Sequence, residues 1–199
     1  TELQADLDFP ENRFSIEEDN LRKALLDFSE EKQIIEDVPL CINVPKDRII
    51  GVHGTHRDVV NLLNNILLQL ACLYSYDEVK LVFISDEKDM QAFGYVRWLQ
   101  HIWDNEENSR LFASNEKDIK ELNAIMNKIV VERSIDEKKE KTPFYFIVST
   151  SKHMADKCSF ITEICRNDKL EGFGFLAAYP ELKNLPKEIQ ADFDSVTRA

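Results

Sequence analysis

The chain alternates between stretches with a three-to-four-residue apolar period and short, nearly unbroken apolar runs. Leu21, Leu25 and Phe28 fall on one stripe. Ser15 and Glu18 of "SIEE" form a capping box ahead of them, which predicts a helix from about Ile16 to Gln33. "VPLCINV" predicts a short strand after a Pro break, "KD" a turn, and Arg48 to Val52 a second strand. A helix is expected from about Asp58 to Tyr74. Its Leu62, Ile66, Ala71 and Leu73 lie on more than one side, so it is expected to be buried. "EVKLVFIS" predicts a central strand and "DEKD" an acidic turn; "YVRWLQHIW" has no clear period, and "SRLFAS" suggests a short strand. "NEKDIKELNAIMNKIVVERS" predicts a helix capped by Asn115, with a stripe through Ile119, Leu122, Ile125 and Ile129. "DEKKEK" is a solvated turn, "PFYFIVS" a second central strand, "ADKCSFITEICRN" a short helix and "GFGFLAAY" a further buried strand. A turn, with or without an edge strand, closes the chain.

This alternation of helices and strands predicts an open α/β sheet, and the unbroken apolar strands suit a mostly parallel one covered on both faces. No internal repeat is visible. The division expected is an N-terminal arm with one helix (1–33) and a single α/β domain (34–199).

Composition narrows the function classes. The 199 residues are 43% hydrophobic and carry 37 acidic against 25 basic side chains, a net charge of −12. A duplex-binding domain draws much of its affinity from phosphate neutralisation, so this balance argues against nucleic acid and anionic membrane surfaces, a local basic patch aside. Cys41, Cys72, Cys158 and Cys165 have no metal-type pair spacing. They read as buried free thiols, with a disulfide or zinc site as the alternative. No apolar run approaches the roughly 18 residues of a membrane helix. The chain begins without Met and reads as a piece of something longer.

The candidate chemistry lies in "IIGVHGTHRDVVNLLNN", where an apolar strand meets a helix across two glycines three apart. A phosphate-binding loop needs glycines that let backbone amides wrap the phosphates. It also needs a Lys for the β- and γ-phosphates and a Ser or Thr hydroxyl for Mg²⁺. With Gly51 and Gly54 at the first and fourth positions, Thr55 follows, His56 replaces the last glycine, Arg57 the lysine and Asp58 the hydroxyl. Two like charges about 4 Å apart at an effective dielectric near 20 repel by about 4 kcal/mol, so Asp58 opposes a triphosphate unless a metal offsets it. Asp58 also suits a helix N-cap. Three readings therefore stand: a structural turn, a weak anion or nucleotide site, and an enzyme with Arg57 in place of Lys.

The acid that should hold metal at the end of a buried strand is missing, because "FYFIVSTS" ends in Ser149, Thr150 and Ser151. Asp86, after "LVFIS", is the one comparable candidate, and a lone strand-end Asp is first explained by a plain turn role. His53 and His56 lack a third soft ligand. His101, between Trp98 and Trp103, either packs into its own domain or belongs to an aromatic surface that grips a neighbouring subunit. No nucleophile sits beside a base, and no carboxylate pair is set for acid–base work.

The order "PLCINV", "RIIGVHG", "LACLYSYDEVKLVFISD", "WLQHIWD", "SRLFAS", "FYFIVSTS", "GFGFLAAYPELKNLP" resembles the degenerate ATPase-like domain of the type VII secretion membrane ATPases. These are EssC in Gram-positive bacteria and EccC in mycobacteria, of the FtsK/SpoIIIE group. The match runs from about Ile34 to Arg198, and Gln100 departs from the family's Pro, which bears on the local turn. The resemblance implies a P-loop-NTPase-like (RecA/FtsK-like) fold with a vestigial nucleotide loop at Gly51, Gly54, Thr55, His56, Arg57 and Asp58. It implies a domain without catalytic residues, cofactor or metal of its own. Such a domain would be a cytoplasmic scaffold or coupling element in a cell-membrane ATPase whose other modules use ATP and Mg²⁺. The partners implied are those other modules and type VII membrane components. For the parent they are WXG100-type substrates, within a hexameric assembly.

Overall fold

The computed structural model describes residues 3–4, 23–24, 27, 34–35, 42–135 and 142–186. The chain divides into two units, Thr1–Ile42 and Asn43–Ala199. In the first, β1 (Leu3–Gln4) pairs antiparallel with β2 (Ile34–Ile35). The helix expected from Ile16 to Gln33 lies mostly outside the described residues; Lys23, Ala24 and Asp27 are helical and exposed. The capping box and the "DEKKEK" turn also lie outside them.

The second unit carries α1 (Val44–Asp47), β3 (Ile49–Val52), α2 (His56–Leu73), β4 (Val79–Ile84) and α3 (Met90–Phe93). Then come β5 (Phe112–Ala113), α4 (Glu116–Ile135), β6 (Phe144–Ser149), α5 (Lys152–Ala155), α6 (Ser159–Arg166) and β7 (Phe173–Ala178). The five strands β3 to β7 form one sheet in the order β3-β7-β6-β4-β5, and every pairing is parallel.

Strand residues alternate between two cores, as a pleat requires. Val82, Ile84, Tyr145, Ile147, Phe173 and Phe175 face α4 and α6. Leu81, Phe83, Phe146, Val148 and Leu176 face Leu63 and Leu67 of α2 and the 93–102 segment. Thus the connections after β3 and β4 lie on one face of the sheet, and those after β5 and β6 on the other. Burial on both faces is why the central strands read as continuous apolar runs.

Several expectations are corrected. "VPLCINV" is not a strand through Val44: Asn43 caps α1, its Oδ1 accepting from the Lys46 amide at 3.3 Å, with Pro45 in the first turn, where a missing N–H costs nothing. α1 packs so close to β7 that a Cβ on Gly174 would stand 2.8 Å from Val44 Cγ1. α2 begins at His56 with Thr55 as cap, and only its Leu63 and Leu67 are fully buried; Leu62, Leu68 and Leu73 are exposed. The buried ridge of α4 runs through Ile119, Leu122, Met126 and Val130, with Ile125 and Ile129 on its flank. "ADKCSFITEICRN" gives way to two helices, α5 and α6, with α5 started by the Ser151 hydroxyl. Residues 94–102 form two short 3-10 turns. Cys158 is buried and Cys165 partly so, but Cys72 is exposed.

Candidate functional site

In a parallel α/β sheet, ligands bind outside the carboxyl ends of the strands, where neighbouring connections leave toward opposite faces. Here that point lies between β4 and β6, with the bend after β3 on the same rim.

The bend is short. Gly51 and Val52 are still in β3, paired with Ala177 and Ala178, and the helix starts at His56. Only His53, Gly54 and Thr55 join them, too few to wrap a phosphate chain. Gly54 has no positive φ, and a Cβ there would meet nothing nearer than Val59 Cγ2 at 3.7 Å. Its lack of a side chain is therefore not required by the backbone.

The amino end of α2 is occupied by its own residues. Thr55 Oγ1 donates to Asp58 Oδ2 at 2.6 Å and accepts from the Asp58 amide at 3.4 Å. The role expected of Asp58 as cap falls to Thr55, because the helix begins two residues earlier. Asp58 sits in the first turn, where its carboxylate already answers the positive end of the helix dipole. An incoming anion would have to displace it. Arg57 and His56 are exposed in that first turn.

At the strand ends the hydroxyls are tied together. The Thr150 hydroxyl donates to Asp89 Oδ2 at 3.1 Å and lies 2.8 Å from Ser85 Oγ. One hydroxyl carries one proton, so Ser85 must donate to Thr150. Tyr179 Oη donates to Ser149 Oγ at 3.3 Å, and Ser149 donates to the Ser151 carbonyl at 3.1 Å. Burial raises the Tyr179 phenol above its ordinary range, and its bond to Ser149 offsets part of that.

A carboxylate therefore does stand beside "VSTS", contrary to the expectation that none is there. It is Asp89, only 8% exposed, tucked in by the 3-10 turn Glu87–Asp89. Asp86, the expected candidate, points outward to Lys88 at 3.3 Å. Nothing in "DEKD" separates the two acids; the signal was tertiary.

The cavity joining bend and strand ends is about 90 Å³, lined by Gly54, His56, Lys88, Asp89, Thr150 and Tyr179 among others. Small-molecule pockets begin at roughly 300 Å³. These residues do not fit a Mg²⁺-triphosphate: the connection is too short, the helix end is self-capped and the cavity too small. Among the described residues no three His, Cys, Asp or Glu side chains gather as a metal site, and no helix is long and apolar enough to cross a membrane.

Two larger recesses lie elsewhere. One, about 540 Å³, is lined by Tyr76, Asp77, Lys80, Glu106 and Glu107. The Lys80 ammonium there has its pKa lowered by burial, with Asp77 pulling the other way. The other, about 400 Å³, lies along edge strand β5 and the first turns of α4, with Arg97, Trp103 and Arg110 on its wall. His101 is not part of that surface. It is buried, its Nε2 lying 2.9 Å from the Tyr74 carbonyl, so that nitrogen carries the proton.

No protein-family model matches the chain. The type VII secretion system protein EssC of Staphylococcus aureus (strain NCTC 8325 / PS 47) is 27% identical over 111 residues, which are 56% of this chain and 7% of EssC. The ESX secretion system protein EccC of Geobacillus thermodenitrificans is 29% identical over 112 residues, 56% of this chain and 8% of EccC. The chain thus spans less than a tenth of either relative. Among solved structures, the cytoplasmic domain of the Thermomonospora curvata type VII secretion ATPase EccC superposes with a TM-score of 0.56 at 15% identity, over 80% of this chain and 19% of that one. The cytoplasmic domain of EssC gives 0.56 at 16% identity, over 74% and 32%. Both share the parallel sheet flanked by helices of the RecA/FtsK-like P-loop NTPase fold. In sequence and in fold, this chain is an ATPase-like domain resembling those of the EssC and EccC type VII secretion ATPases.

Proposed function

We propose that this chain is a non-catalytic ATPase-like scaffold, a domain that couples neighbouring modules of a membrane-anchored secretion ATPase without turning over nucleotide itself. The observation that carries it is the self-capped bend: Thr55 and Asp58 satisfy each other at the one helix end where a phosphate would sit. Arg57, in the lysine's place, is exposed in the first turn and enters no ion pair among the described residues, and Asp58, in the hydroxyl's place, puts a negative charge there. The likeness to EssC and EccC supports a place on the cytoplasmic side of such a machine, next to its other ATPase-like modules. The same likeness is the ground for the export substrates and the hexamer, both of which belong to the parent. We take 1–33 as an arm and 34–199 as the domain, although the compact units divide later, between Ile42 and Asn43.

Titration calorimetry with Mg-ATP tests the reading. No heat and no melting shift are expected at millimolar nucleotide, in the wild type or in Arg57→Ala. A sub-millimolar Kd with phosphate release, both lost in Arg57→Ala, would replace the scaffold by a divergent ATPase.

A further inference from the structure

Two arginines of this acidic chain stand apart from the others. Arg110 lies near two indoles, 5.0 Å from the Trp98 ring centre and 4.6 Å from that of Trp103, and Arg97 lies 4.9 Å over Phe112. Arg133 also lies against two rings, 4.7 Å from the Tyr145 centre and 4.9 Å from that of Phe173, but its N–H groups are consumed by the carbonyls of Gly172 and Pro143. Arg48 likewise donates to the carbonyls of Ile164 and Asn167. Among the described residues, Arg97 and Arg110 donate to no acceptor and enter no ion pair. Contact with aromatic rings satisfies none of a guanidinium's N–H donors, the fork that matches a carboxylate.

Those donors belong to the walls of the 400 Å³ groove at the sheet edge. Of the two acids opposite, Asp118 is otherwise engaged: it accepts from the Ser114 amide, the Ser114 hydroxyl and the Asn115 amide group, at 3.1, 3.3 and 2.9 Å. Glu121 is exposed, 4.0 Å from Lys117. Beside the groove Trp98 is 72% exposed, and Ile125 adds an apolar wall. The Leu111 and Ala113 carbonyls bond to β4, so the Phe112 backbone faces outward along the open edge. Aromatic and arginine side chains of this kind dominate binding energy where they become desolvated.

We infer that this groove docks an extended protein segment in which acidic residues alternate with apolar ones. Its carboxylates would take the edges of Arg97 and Arg110, and its apolar side chains would cover Trp98 and Ile125. The complementarity is one of hydrogen-bond donors rather than of net charge. Arg97 and Arg110 share the groove with Asp118 and Glu121, but Asp118 already accepts three hydrogen bonds while the two guanidiniums make none among the described residues. Sparse acids separated by apolar residues limit the repulsion that a polyanion would meet. The inference deepens the scaffold reading by naming the docking chemistry. Its test uses no nucleotide, so the two fail separately.

Trp98 and Trp103 are the only tryptophans in the chain, so fluorescence excited selectively at tryptophan reports on this region. The probes are three pools of capped heptapeptides in which Glu, Gln or Lys alternates with Phe, Leu and Val. The Glu pool is expected to shift the fluorescence with a sub-millimolar midpoint, and the Gln pool to bind at least tenfold more weakly. The double variant Arg97→Glu, Arg110→Glu should lose the Glu pool and gain the Lys pool, while its melting temperature shows that it is folded. Equal response to Glu and Gln pools, or none to either, overturns the proposal. So does an identical response to inorganic phosphate at the same concentrations, which would mark a plain anion site. A fluorescence change that follows protein concentration, with a dimer in sedimentation that Arg110→Glu abolishes, assigns the groove to a second copy and overturns it as well.

Discussion

The carboxyl-end crevice and the sheet-edge groove differ in how their polar groups are spent. In the crevice, Ser85, Thr150 and Asp89 satisfy one another, Tyr179 is held by Ser149, and Thr55 and Asp58 close the helix end. At the groove, Arg97 and Arg110 lie against aromatic rings, their guanidinium donors unspent among the described residues, beside an exposed Trp98. Polar groups paired within the chain contribute rigidity, and a ligand must break those bonds before making its own. Unpaired ones, held in place by rings, meet a partner with little loss of entropy. The fold's customary ligand position is thus the stiff part of this domain, and an edge of the sheet is its receptive part.

The contrast is broken most severely at Thr150. Thr150→Val leaves the buried Asp89 carboxylate without its donor, and a loss of about 2 kcal/mol is expected in urea unfolding, from the usual penalty for an unsatisfied buried acceptor. A loss below about 0.5 kcal/mol would mean the crevice is wet and open. Asp58→Ala comes next. It removes the first-turn charge and the partner of Thr55, at a cost of about 1 kcal/mol. It should also let sulfate raise the melting temperature, which it does not do in the wild type; stabilisation of both alike would show that the helix end was never closed. Gly54→Ala acts in the other direction. With no positive φ and no clash, it should stabilise by about 0.5 kcal/mol through the unfolded chain, whereas a phosphate-wrapping glycine would not tolerate the change.

The smallest effect concerns thiols. Burial pushes the Cys158 thiol up to about 12 from its ordinary 9.0, while Cys72 is exposed. The folded state therefore holds a proton that the unfolded chain releases above about pH 9, so this thiol's contribution to stability declines between about pH 9 and 12. Thiol titration at pH 8 should label Cys72 rapidly and leave Cys158 untouched until denaturant is added. Equal labelling would show that the core under α5 opens readily.

The strands were legible because each is buried on both faces and so reads as a nearly unbroken apolar run, with Lys80 the main interruption: 79–84, 144–149 and 173–178 stand where the pattern placed them. The helix at 116–135 was legible through Asn115, whose Oδ1 accepts from the Lys117 and Asp118 amides at 3.0 Å. Short elements were less readable. "NVPKD" reads as strand and turn by composition, yet its Asn cap and early Pro start a helix. The split between α5 and α6 turns on the Ser151 cap, a local hydrogen bond that periodicity does not register.

The sequence by itself determined the class of the fold and the poverty of the phosphate loop, because hydrophobic period and missing side-chain types are one-dimensional properties. The Thr55–Asp58 pair, three residues apart, is local, but only the tertiary structure decided that Asp89 rather than Asp86 turns inward and that Arg97 and Arg110 line a groove with no acceptor for their guanidiniums among the described residues. Those outcomes depend on which groups distant or identical in sequence come within about 3 Å of one another, and hydrogen-bond geometry, not residue type, sets that.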